Sequence, residues 1–142
     1  MRFRSDPART YPVVYDNKPV HTILTADPLP GEVFRQKKME HGGYPFDIEC
    51  SNLGRVKLGG EVLAQREQSD TSSGYLVLDK PGSGLTGKLV YQVVADVWVE
   101  RPATTEKLEV HHLTNDGYDN RPSNLMWLPK SVHASVHAGA NW

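Results

Sequence analysis

Cysteine is nearly missing from this chain: Cys50 is the single one in 142 residues. No internal disulfide can form, which fits a reducing, cytoplasmic setting. Cys50 lies in an alternating apolar stretch and reads as a small core filler rather than a nucleophile. Long apolar runs are missing too. None approaches the roughly 18 consecutive apolar residues of a membrane span, so no membrane partner is expected. The start, MRFRSDPARTYPVV, carries basic residues but no apolar h-region, which argues against a secretory signal. An excess of positive charge is also lacking, since the formal net charge is −1. Strong nucleic-acid binders are often markedly basic, so any such binding here must rest on arranged rather than abundant charge. Three basic groups qualify: Arg2, Arg4 and Arg9; Arg35, Lys37 and Lys38; and Arg55 with Lys57 beside a turn. Scattered solubilising charge is the plain alternative for each.

What the sequence does have is turn formers, twelve glycines and ten prolines, and 38% hydrophobic residues, enough for one modest core. Residues 1–43 hold five of the prolines and little periodicity. An extended or irregular arm is expected there, with one short strand at Val13–Tyr15. From Phe46 the pattern alternates as a strand should, and Ser51-Asn52-Leu53-Gly54 supplies a turn. Arg55–Leu58, Val62–Gln65 and Tyr75–Leu78 read as further strands, and Pro81–Gly84 as another turn. A small antiparallel β module over 44–87 follows. Val90, Val93, Val94, Val97 and Trp98 fall on one helical stripe despite the β preference of valine, and Pro102 closes the segment.

Four of the six histidines crowd into the last 32 residues: His111, His112, His133 and His137. The segment reads as strand (through His111-His112-Leu113), polar loop (114–123), strand (124–128) and helix (from Ser131). Neighbours on a strand point to opposite faces, so His111 and His112 must have different jobs unless a bulge intervenes. His133 and His137 are four apart on a helix and share a face. Such a pair can chelate one metal ion, with His111 completing a set that keeps open positions and His112 left to act as a base. A His-His dipeptide or an HxxxH pair alone says little. The metalloprotease reading fails, because Ala134 stands where H-E-x-x-H needs glutamate.

The stretch VHHLTNDGYDNRPSNLMWLPKSVHASVH resembles the HNH, or His-Me finger, motif of ββα-metal nucleases. Ile48–Val56, Gly74–Leu78 and Val93–Ala95 resemble the small β module that precedes HNH domains in phage and intron-homing endonucleases. The likeness covers roughly residues 44–138. It implies an α+β fold: a small antiparallel β module over 44–87, then an HNH nuclease domain over 88–142. It also implies an endonuclease acting on double-stranded DNA and leaving 5′-phosphate and 3′-hydroxyl ends, in a bacterial or phage-infected cell. By the same resemblance His112 is the general base. Asn124 is the central asparagine that bridges the loop and orients the base, and His111, His133 and His137 are metal ligands. Asn120 would brace the loop, while Arg121, Arg55 and Lys57 are candidate phosphate contacts. The cofactor implied is one divalent ion, expected to be Mg2+, with Zn2+, Mn2+ or Ni2+ also acceptable to a histidine-rich site. Monomer and homodimer both stay open. So does a competing class, a catalytically inactive nucleic-acid-binding protein with a structural metal. Two departures from the family pattern stand out. Pro129 replaces a helix-capping threonine, and the chain stops five residues after His137, where relatives continue into a helix-turn-helix.

Overall fold

The computed structural model describes residues 13–41, 44–68 and 74–133. After a two-strand ribbon, β1 (Val14–Tyr15) with β2 (Lys18–Pro19), the chain enters an antiparallel sheet. Its strands are β3 (Phe34–His41), β4 (Tyr44–Ser51), β5 (Val56–Leu58) and β6 (Glu61–Val62), paired in that order. β7 (Ala64–Glu67) and β8 (Leu76–Asp79) form a second antiparallel pair. The α-helix α1 spans Val90–Trp98. Then β9 (Leu108–His112) pairs antiparallel with β10 (Leu125–Pro129), and residues 130–133 are helical. Among the described residues no helix is long and apolar enough to cross a membrane.

From Phe46 to His133 the strand and helix expectations agree with this order, apart from a break at Leu63 that divides the strand expected over Val62–Gln65; the remainder of the helix expected from Ser131 lies outside the described residues. Of the irregular arm expected through residue 43, the short strand expected over Val13–Tyr15 is found at Val14–Tyr15, residues 1–12 with Arg2, Arg4 and Arg9 lie outside the described residues, and the departure is at Phe34–His41. Phe34–His41 is an eight-residue strand, so a boundary at residue 43 would cut the β3–β4 hairpin in two. The reason is physical. β3 is an edge strand whose Arg35, Gln36, Lys37 and Lys38 are all exposed, so no apolar alternation marks it. Lys37 Nζ donates to the Asp96 carbonyl at 2.8 Å, and the Arg35 guanidinium lies 4.0 Å from the Trp98 ring centroid. The basic group thereby ties the hairpin to α1.

One apolar cluster joins both halves of the chain. Ile48, Cys50 and Val56 from the sheet meet Leu76 and Leu78 from β8, the valines of α1, and Val110, Leu125 and Trp127 from β9–β10. The helical stripe is buried as expected at Val90, Val93, Val94 and Val97. Burying a valine side chain is worth about 1.5–3 kcal/mol, which outweighs the few tenths valine loses in a helix. Two indole donors lock the C-terminal end of α1: Trp98 Nε1 donates to the Cys50 carbonyl at 2.8 Å, and Trp127 Nε1 to the Val99 carbonyl at 3.0 Å. The β9–β10 hairpin is thereby fixed against the helix, and the helix against the sheet.

Candidate active site

β9 delivers two adjacent histidines. In register, His111 faces Met126 and His112 faces Leu125 across the β9–β10 ladder. Both are buried. As strand alternation requires, their rings have different surroundings. His111 meets His133 edge to face, with centroids 5.2 Å apart. His112 lines a cleft of about 320 Å³ together with Tyr75, Tyr91, Val110, Asn115 and His133.

The loop from β9 to β10 is held by its asparagines. Asn124 acts on backbone only: its Oδ1 accepts from Thr114 N–H at 3.1 Å, and its Nδ2 donates to the Asp119 carbonyl at 3.0 Å. It staples the two ends of the loop. The hydrogen bond on the imidazole comes from elsewhere: His112 Nε2 lies 2.8 Å from Asn120 Oδ1. Asn120, read from the sequence as a loop brace, is therefore the asparagine that hydrogen-bonds the histidine. An amide oxygen only accepts, so Nε2 carries the proton and Nδ1 bears the lone pair. Burial pushes the His112 pKa below the ordinary value of 6.5, while the Asn120 hydrogen bond and the charges of Asp116 and Asp119 pull part of the way back. The ring is a neutral base at pH 7.

Neighbouring segments press the loop into place. A Cβ built on Gly117 would sit 2.2 Å from the Gly74 carbonyl oxygen and 2.6 Å from Tyr75 Cδ1, so only glycine fits there. Gly54, at φ +91°, lies in the turn before β5, where a Cβ would come within 3.3 Å of Asn120 Cβ and O. Tyr118 is tied by its hydroxyl to the buried Glu67 carboxylate on β7.

His133, in the helical turn after β10, places Nδ1 3.0 Å from Glu109 Oε1. That bond is also what holds the Glu109 carboxyl below the ordinary carboxylate range. His111 and His133 thus converge, with Glu109 fixing one of the rings. Among the described residues no group of three or more His, Cys, Asp or Glu gathers as a metal cluster. His137, the third expected ligand, lies outside the described residues. Glu109 escaped the sequence reading, although its place two residues before His111 on a strand was a usable signal.

No family model and no curated protein matches the sequence. One solved structure, described as "DNA binding and cleavage by the HNH homing endonuclease I-HmuI", is similar with a TM-score of 0.49 and 22% sequence identity. The match covers 75% of this chain and 61% of that one, so the chain spans less than two thirds of that protein's length.

The expected phosphate contacts fare unequally. Arg55 is corrected: its side chain is fully buried and paired with Glu32, Nε donating to Oε2 at 2.9 Å. The rest of its guanidinium is taken by the backbone carbonyls of Ile23, Thr25 and Asp27 and by Glu32 Oε1. It fastens residues 23–32 to the sheet and has no donor to give a phosphate. Lys57 rests its ammonium 4.1 Å from the Phe34 ring centroid. Arg121 is half-exposed and grips Asp119 through two bonds of 2.8 and 2.7 Å.

Proposed function

We propose that this chain is a metal-dependent DNA endonuclease of the HNH type, in which His112 removes the proton from the water that attacks a backbone phosphate. The observation that carries the reading is the state of that imidazole: buried, neutral, hydrogen-bonded through Nε2 to Asn120, and set in the wall of an open cleft. A neutral histidine with its far nitrogen pinned is what general-base chemistry near pH 7 requires, and such a base typically contributes ~10²–10⁴-fold.

The donor chemistry suits a divalent ion. His111 and His133 bring two imidazoles together from different elements, and the carboxylate of Glu109 orients His133 as outer partners of metal-bound histidines commonly do. His111 and His133 would hold the ion, with His137 as a third ligand. When bound, the ion would stabilise negative charge on the phosphate and on the leaving oxygen. Mg2+ is the ion proposed for activity, with Zn2+, Mn2+ or Ni2+ as substitutes. Asn120 keeps the His112 proton on Nε2, and Asn124 holds the loop that carries Asn120.

The test is a nicking assay on supercoiled plasmid. With Mg2+ the protein should convert it to open circle, EDTA should stop the reaction, and added Mg2+ should restore it. The nicks should be sealable by DNA ligase, which requires 5′-phosphate and 3′-hydroxyl ends. Plasmid that stays supercoiled with each of the four ions, while the protein still shifts DNA in a gel, would favour the binding-protein class instead.

A further inference from the structure

A hydrogen bond to one ring nitrogen aims an imidazole but leaves it able to tilt about the bond. Asn120 alone therefore does not fix the plane of His112. Two other rings touch it. Tyr75 lies nearly parallel, with centroids 5.7 Å apart and planes at 28°, and Tyr91 meets it edge to face at 4.9 Å and 74°. The tyrosines also touch each other, 5.3 Å between centroids, so the three rings form a closed triangle in the wall of the cleft. Neither tyrosine belongs to the β9–β10 segment. Tyr75 directly precedes β8, and Tyr91 is in the first turn of α1. Tyr75 is itself backed by the loop, since Gly117 approaches it too closely to admit a Cβ.

We infer that Tyr75 and Tyr91 are positioning residues for His112, fixing the plane of its ring through aromatic contact so that elements outside the histidine-bearing segment set the aim of the base. This rests on the reading of His112 as the base. Offset-stacked and edge-to-face pairs are the favoured arrangements of such rings, and both occur here around one imidazole. The ring matters in this role, and the hydroxyl does not.

The full chain would be compared with Tyr75→Phe, Tyr75→Leu, Tyr91→Phe and Tyr91→Leu in steady-state plasmid nicking with Mg2+. Each leucine variant should lose about tenfold in kcat, a part of what a well-aimed base supplies, with KM for the plasmid unchanged. Each phenylalanine variant should stay within about twofold of the parent, because it keeps the ring. Parental kcat in both leucine variants overturns the proposal. A raised KM at constant kcat also overturns it, because the tyrosines then bind DNA. Phenylalanine variants as slow as the leucine ones overturn it as well, because the hydroxyl then carries the effect. A second readout needs neither turnover nor a stable variant. In the parent protein, nuclear Overhauser contacts should connect the His112 ring protons to both tyrosine rings, and 15N shifts should report one tautomer, protonated on Nε2. Missing contacts to the tyrosines would overturn the inference even if a leucine variant failed to fold. If the parent chain cut no DNA, the function would fall, and these contacts would still decide the positioning.

Discussion

Asn120 and Asn124 sit on one short loop, yet the first bonds a side chain and the second bonds only backbone. Their alanine variants should therefore fail differently. Asn120→Ala removes the partner of His112 Nε2, so kcat should fall about tenfold, the equivalent of one ordinary hydrogen bond. Asn124→Ala leaves the Thr114 N–H and the Asp119 carbonyl without that amide, at a cost of about 1–3 kcal/mol, read as a lower urea midpoint. Equal kinetic and thermal effects in the two variants would contradict this division. The separate surroundings of His111 and His112 were legible in advance, because strand alternation alone demands them. Which asparagine meets the imidazole was not. That depends on how the loop folds back, set by Gly54, Gly117 and the left-handed Asn115 (φ 62°), and none of these has a periodic signature.

The elements that carry the site are braced from outside, and the strongest brace is invisible to pattern reading. Arg55 looks like a solvent-seeking residue beside a turn, yet it is fully buried against Glu32, 23 positions earlier. A local pattern cannot announce a partner that distant. Burial by itself would push the Glu32 carboxyl up, but the hydrogen bonds from Arg55 and the Leu29 N–H bring it below the ordinary 4.5. A carboxylate with a lowered folded pKa contributes stability above its unfolded pKa, and that stability is lost as pH falls through the folded value. The urea midpoint should thus drop on acidification below about pH 4.5, the ordinary value for Glu32, and Glu32→Gln should flatten that slope. Glu32→Ala should cost about 3–5 kcal/mol at pH 7, because it strands a buried guanidinium. An unaltered acid slope in the Gln variant would refute the assignment. Gly117→Ala tests the contact of the loop with Tyr75: the added Cβ must displace the Gly74 carbonyl, so nicking should fall with DNA affinity retained. Full activity would mean the loop is not held there. α1, by contrast, was legible down to its buried valines, since an apolar stripe is a local property.

At the scale of the molecule, the β module and the histidine-bearing hairpin share one apolar cluster among the described residues. Composition could not reveal this, because contacts across the sequence leave no trace in local periodicity. With a formal net charge of −1, the proposed binding to DNA would have to come from local basic groups such as Lys57 and Arg121, without Arg55. Phosphate-led binding weakens as salt rises, with a slope of about −0.9 per phosphate neutralised, so log affinity should fall linearly with log salt. Arg121→Ala should lessen that slope by about one if the residue contacts a phosphate. A slope untouched by the change would confine Arg121 to its pairing with Asp119.

The role of His112 as the base is decided by single-turnover nicking of supercoiled plasmid with Mg2+, comparing the parent chain with His112→Ala at matched DNA occupancy. The variant should bind DNA and melt like the parent but cut at least ~10²-fold more slowly, the least a positioned general base commonly supplies. A His112→Ala protein that still cuts at the parental rate would contradict it.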